Sequence, residues 1–186
     1  NTMSCKLTSS ISKKNCEYAI SGVKSIYLFN YDASNNFDFE ETGDQERITI
    51  TAISLPEGEK AYKVDFADNT ASFSDELAQN GNGGKYRTHT LNFTIDAYDY
   101  ELLNQDKALS LGKFTAVVVD KAGRSVVLGR NNGLSATSFN YASGAAEADA
   151  TGWTVVMAGT EIESGRLLKD ESVVASIADK PRVVVP

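Results

Sequence analysis

Residues 98–168 read YDYELLNQDKALSLGKFTAVVVDKAGRSVVLGRNNGLSATSFNYASGAAEADATGWTVVMAGTEIESGRLL, and their signals change type in an order that decides the fold. The segment 98–107 carries Asp99 and Glu101 near its start and Lys107 at its end, the charge order a helix dipole favours, and it predicts a short helix. Phe114-Thr115-Ala116-Val117-Val118-Val119 is β-branched and apolar on both faces, so it reads as a strand. Asp120-Lys121-Ala122-Gly123 turns the chain, with Gly123 free to take positive φ, and Ser125-Val126-Val127-Leu128-Gly129 returns it. Residues 134–143, a small-residue loop at 144–150 and a strong strand from Gly152 to Glu161 complete the pattern.

Outward from this stretch, strand signals recur at the 8 to 12 residue spacing typical of sandwiches and barrels. Residues 22–29 form a strand whose two faces, Val23, Tyr27, Phe29 and Ile26, Leu28, are both apolar, which suits a position between two layers. Residues 45–53 alternate, with Ile48, Ile50 and Ala52 on one side, and Tyr62, Val64 and Phe66 alternate with Lys63 and Asp65. Residues 70–77 give a further strand. The cleanest alternation is 86–97, where Leu91, Phe93, Ile95 and Ala97 oppose Tyr86, Thr88, Thr90, Asn92 and Thr94. Ser172 to Ile177 reads as an edge strand. The fold class expected is mainly β: an antiparallel sandwich or barrel with one short helix, preceded by an extended arm over 1–19, with the domain at 20–177 and an apolar tail at 178–186. The tail, Pro181-Arg182-Val183-Val184-Val185-Pro186, would aggregate if left bare and therefore reads as an inter-subunit contact.

The chain has 186 residues, enough for one domain with a full core. Its 25 acids against 18 Lys and Arg give a net charge of −7, which argues against a protein that grips phosphate backbones. No segment approaches the roughly 18 apolar residues needed to cross a bilayer, and residues 1–16 lack a signal-like apolar run. Cys5 and Cys16 match no zinc spacing, and a bridge between them is geometrically possible.

Candidate chemistry is thin. His89 is the single histidine, so any triad or imidazole-based metal site would have to use it, and its mid-strand place favours a packed ring. Ser10-Ile11-Ser12-Lys13 and Ser21-Gly22-Val23-Lys24 match the Ser-x-x-Lys pattern of acylating enzymes without the companion motifs or an apolar helix around the Lys. The acids of the 30–44 loop, Asp32, Asp38, Glu40, Glu41 and Asp44, do not follow the ligand spacing of a calcium loop, while Phe37 and Phe39 within it suggest docking onto a partner. Gly81-Asn82-Gly83-Gly84 lacks the strand-to-helix context of a phosphate loop. Asp96, Asp99 and Glu101 are close enough for paired acid-base work but sit where acids cap a helix. Trp153 reads as a core anchor. These readings assign no catalytic, cofactor or metal residue.

The order of features in the second half resembles the phage tail-tube family of virion proteins. The likeness rests on the helix ending in Leu102-Leu103, the VVVD-x-x-G hairpin from Val117 to Gly123, Gly133-Leu134, Ser143-Gly144-Ala145-Ala146, and Asp149-x-x-Gly152-Trp153 leading to Met157-Ala158-Gly159-Thr160-Glu161. It covers about the last two fifths of the chain well and the first half in outline. The resemblance implies a subunit of a six- or twelve-fold homo-oligomeric ring, in a tail tube or head–tail connector of the virion. Such a subunit is made in the host cytoplasm, contacts neighbouring tail or connector proteins, and lines a channel that DNA traverses without specific binding; it has no catalytic centre, cofactor or membrane contact. It also implies that the Thr-rich side of 86–97 faces the channel, where neutral polar groups and net negative charge keep DNA sliding. The competing expectation is a secreted or surface β-sandwich module that recognises carbohydrate or protein through an exposed aromatic platform.

Overall fold

A computed structural model describes residues 5–13, 16–41 and 47–179. The chain is mainly β, 45% strand and 10% helix. Its strands are β1 (Val23–Asn30), β2 (Asn36–Phe39), β3 (Thr49–Ser54), β4 (Tyr62–Val64), β5 (Ser72–Gln79) and β6 (Lys85–Ile95), then β7 (Lys113–Asp120), β8 (Ser125–Leu128), β9 (Leu134–Ala142), β10 (Gly152–Glu161) and β11 (Arg166–Leu168). Helix α1 (Tyr100–Leu111) lies between β6 and β7, and α2 (Ser172–Ala175) follows β11. The sheet runs β2-β3-β11-β8-β7-β9-β10-β6-β5, with β1 on the other edge of β7 and β4 beyond β1. The sheet is not closed into a barrel. One parallel pair, β11 with β3, makes it mixed rather than purely antiparallel.

The two-sided apolar strands explain the layering. On β1, Ile26 and Leu28 enter one core while Tyr27 and Phe29 enter another; on β7, Ala116 and Val118 go to the first and Val117 and Val119 to the second. β8 divides likewise, with Leu128 in the first and Val127 in the second. These three strands are therefore a middle layer. The first core is closed by Leu91 and Phe93 of β6, Val155 and Met157 of β10 and Leu134 of β9. The second is closed by Phe37, Ile50 and Ile53 of β2 and β3 and by Val174 of α2. Burying each large apolar side chain contributes about 1.5–3 kcal/mol, so the alternation itself fixes which layer each strand faces.

Local chemistry sets the ends. Asp99 is the α1 N-cap, its carboxylate accepting from the Leu102 N–H at 2.8 Å. The helix runs to Leu111, past the Lys107 expected at its end, so its last turn holds no basic residue. Gly123 closes the β7–β8 hairpin at φ +95, a conformation L side chains rarely adopt, and its N–H donates to the Asp120 carbonyl.

Three expectations are corrected. Phe37 and Phe39 dock within the molecule, because 36–39 is strand β2 paired to β3 and Phe37 is buried in the second core. Of the expected Ile48, Ile50 and Ala52 face only Ile50 is buried: Ile48 precedes β3 and is exposed, and a bulge opposite Asp38 and Phe39 interrupts the alternation so that Ile53 rather than Ala52 joins Ile50 in the core. Residues 172–175 are helical rather than an edge strand: the Asp170 carboxylate accepts from both the Ser172 N–H and its hydroxyl, starting a helical turn that buries Val174. Every described arm residue from Cys5 to Gly22 is exposed. The proline-bounded end at 181–186 and residues 42–46 of the acidic loop lie outside the described residues.

Candidate functional site

The β5-β6-β10-β9 sheet has one face in the first core and one face outside it. Register places Thr94 beside Thr154, Asn92 beside Val156, Thr90 beside Ala158 and Thr88 beside Thr160 on the outer side. β5 adds Ser72, Ser74 and Glu76 to that side, and β9 adds Ser138 and Asn140. None of these residues is buried. The face is thus made of small, mostly neutral groups, with Glu76 its single charge. The alternation of β6 read from the sequence holds: Leu91, Phe93 and His89 point inward, and Thr88, Thr90, Asn92 and Thr94 point outward.

The sheet also has open margins. Among the described residues β5 pairs only with β6, leaving Ser72–Gln79 without a strand along its other edge. β9 meets β7 only at Ser135 and Leu134, so beyond Ser135 that edge carries no strand among the described residues. Helix α1 packs beside β9 with no buried residue of its own, exposing Tyr100 at 80% and Leu111 at 76%. Exposed edges and exposed apolar side chains are the surface features that other chains can pair with or cover.

At the far end of β10 lies a polar cluster with no counterpart in the sequence reading. His89 is 1% exposed, and the Gly129 N–H donates to its Nδ1 at 3.2 Å. The ring hydrogen therefore sits on Nε2, which donates to the Glu163 carbonyl at 3.0 Å and lies 3.4 Å from Asp75. The Glu161 carboxylate, also 1% exposed, accepts from the backbone N–H groups of Asn131 (3.1 Å) and Asn132 (2.8 Å). These bonds pin the turn that leads from β8 to β9. Asp75 accepts from Arg87 Nε at 2.7 Å and from the Gly165 N–H at 3.0 Å. Burial pushes the Asp75 carboxyl up, but the bonds from Arg87 and the Gly165 N–H outweigh it and hold the group below the usual carboxylate range.

Around this cluster opens a groove of about 420 Å³ whose walls include Phe39, Arg47, Arg87, Arg130, Glu163 and Arg166. Arg130 grips Glu163 with two bonds, 2.6 and 2.8 Å, and Arg166 Nε adds a third at 3.0 Å. Arg130 also lies 4.9 Å from the Phe39 ring centre and Arg47 lies 4.5 Å from it. Four guanidinium groups thus face two carboxylates, Asp75 and Glu163, and among the described residues no carboxylate pairs with Arg47.

The residues singled out from sequence scatter. His89 is a packed ring between strands, not part of a triad. Ser10, Lys13, Ser21 and Lys24 are exposed, so neither lysine sits in a desolvating environment. Asp99 caps its helix, and Asp32 caps its own turn by accepting from Ser34, which lowers its pKa. Gly81 to Gly84 belong to the β5–β6 hairpin, held by the Asn80 side chain, which accepts from Asn82 and Gly84. Cys5 and Cys16 are exposed free thiols. Trp153 stacks on Phe139 at 4.6 Å and on Tyr98 at 5.6 Å, so its ring is engaged rather than open as a platform. No group of three or more metal-ligating side chains occurs, and no helix is long and apolar enough to cross a membrane, among the described residues. Comparison with protein-family models, with curated proteins and with solved structures returns no match.

Proposed function

We propose that the chain is a structural subunit that assembles with its own copies into a ring, as part of a phage tail tube or head–tail connector through which the viral genome passes. The observation that carries this reading is the outer face of β5-β6-β10-β9, a broad wall mostly of Thr, Ser, Asn and Ala, set between the strand-free edge of β5 and the edge of β9 that α1 flanks. The β5 edge of one copy lies along the β9 edge of the next, and repetition of that unlike-to-unlike contact closes a cylinder with no bare edge. The wall inside offers DNA no cation to bind and only the small apolar side chains of Val156 and Ala158 among hydroxyls and amides, and the excess of acids on each copy repels the polymer. The resemblance of residues 98–161 to the tail-tube family supports the same reading.

Changing the wall tests it. Lysine at Thr94 and Thr154, paired outward positions of β6 and β10, would give a ring whose channel retains double-stranded DNA in a low-salt gel shift, while the parent ring lets it run free. Equal mobility with both rings, or rings in which the two lysines are labelled from outside by a bulky amine reagent, would refute the channel assignment.

A further inference from the structure

We propose that the arginine groove receives the acidic tip of the β9–β10 hairpin from a second copy, so that subunits join head to tail along the strand direction. The inference deepens, and rests on, the reading of the chain as a stacking ring subunit. Its basis is the placement of opposite charges at the two ends of one strand. β10 is 10 residues long, and at roughly 3.3 Å per residue its ends lie about 30 Å apart. The hairpin loop precedes Gly152, and the groove follows Glu161.

The tip is built to enter a narrow opening. Residues 143–151 are all exposed, and Ala145, Ala146 and Ala148 keep it slim around a single outward acid, Glu147. The other acid, Asp149, is committed internally, accepting from the Ala145 and Ala146 N–H groups at 3.0 and 2.8 Å. Those bonds shape the tip before contact, which lowers the ordering cost of docking. No Lys or Arg occurs in the tip or in residues 95–101.

The groove is the complement. Asp75 and Glu163 satisfy part of the guanidinium charge and hold Arg87, Arg130 and Arg166 in place; with the buried Glu161 of the same cluster counted, the four arginines still exceed the carboxylates by one in a chain whose net charge is −7. Arg47, steadied by the Phe39 ring and unpaired to any described carboxylate, is the natural partner for Glu147. Head-to-head contact would set Glu147 against Glu147, and tail-to-tail contact would set arginine against arginine. Charge therefore fixes the polarity of the stack as well as its strength.

Disulfide trapping tests the docking in the full chain, with Cys5 and Cys16 replaced by Ser because both are exposed thiols. Ala146→Cys in one preparation and Ser164→Cys in another place thiols on the tip and on the groove lip, both exposed positions. On mixing and mild oxidation the two should form a mixed disulfide, and a chain bearing both should give a ladder beyond dimer. Adding Glu147→Lys to the tip chain should cut the yield at least about tenfold, and Arg47→Glu on the groove chain should restore most of it. Absence of the mixed disulfide in chains that keep the parental unfolding midpoint, or a yield indifferent to Glu147→Lys, overturns the docking. Micrographs separate this from the ring itself: rings without the disulfide refute only the docking, and a charge-dependent disulfide without rings refutes only the ring.

Discussion

Glu161 offers the sharpest test of how the layers are joined. Its carboxylate is buried and accepts the N–H groups of Asn131 and Asn132, holding the turn through which the chain leaves β8 for β9. In Glu161→Ala both N–H groups lose their partner and a side-chain-sized gap opens. At about 1–3 kcal/mol for each stranded donor, tempered because Asn132 is exposed and can turn to water, the loss is about 2–4 kcal/mol. Glu161→Gln keeps one acceptor oxygen but turns an amide N–H toward a backbone N–H, and should cost about 1–2 kcal/mol. Glu147→Ala, on an exposed tip, should stay within about 0.5 kcal/mol of the parent. Urea unfolding followed by tryptophan fluorescence measures all three, since Trp153 lies on the same strand as Glu161. If Glu161→Ala unfolds within about 0.5 kcal/mol of the parent, the carboxylate is not what secures the turn.

Other outcomes follow from the same geometry. At Gly159 a Cβ would collide with the Gly133 carbonyl oxygen, a backbone atom that cannot swing aside, so Gly159→Ala should destabilise by at least about 2 kcal/mol in the same assay. Asp75 has a folded pKa below its unfolded value, so its contribution is present above the unfolded carboxylate range near pH 4 and is lost as pH falls through the lower folded value. Asp75→Asn should therefore lower the unfolding midpoint at pH 7 and flatten its decline below about pH 4, and parallel acid limbs in parent and variant would contradict this. Phe93→Ala, at a fully buried site of the first core, should cost about 3–5 kcal/mol and lower the melting temperature accordingly.

Much of the fold is legible in the sequence because the relevant signals are local. The β10 limits, Gly152 to Glu161, follow from β-branched residues set between small-residue turns, and the β7–β8 hairpin follows from Asp120 to Gly123. The double-sided apolar runs of β1 and β7 are the signature of a middle layer, and that is their place. β2 escapes detection because four residues, Asn36–Phe39, are too few to show a period amid acids and turn formers. Helix α2 escapes because Asp170 caps a turn whose two valines otherwise favour strand. The groove is invisible for a different reason. Arg47, Arg87, Arg130 and Arg166 stand on or beside four different strands, and only the pairing of β11 with β3 and β8, and of β6 with β10, brings them to one opening. The outward Thr stripe of β6 is legible by alternation, but its extension over β5, β9 and β10 depends on register.

Electron microscopy of the purified full chain, carried to a resolution at which strands separate, addresses the central proposal most directly. The account predicts closed rings or stacked tubes in which β5 of each copy runs beside β9 of the next and Thr90, Thr154 and Ser74 line an axial channel. Single particles of one chain with both sheet edges bare, or rings that turn this Thr face to the outside, would contradict it.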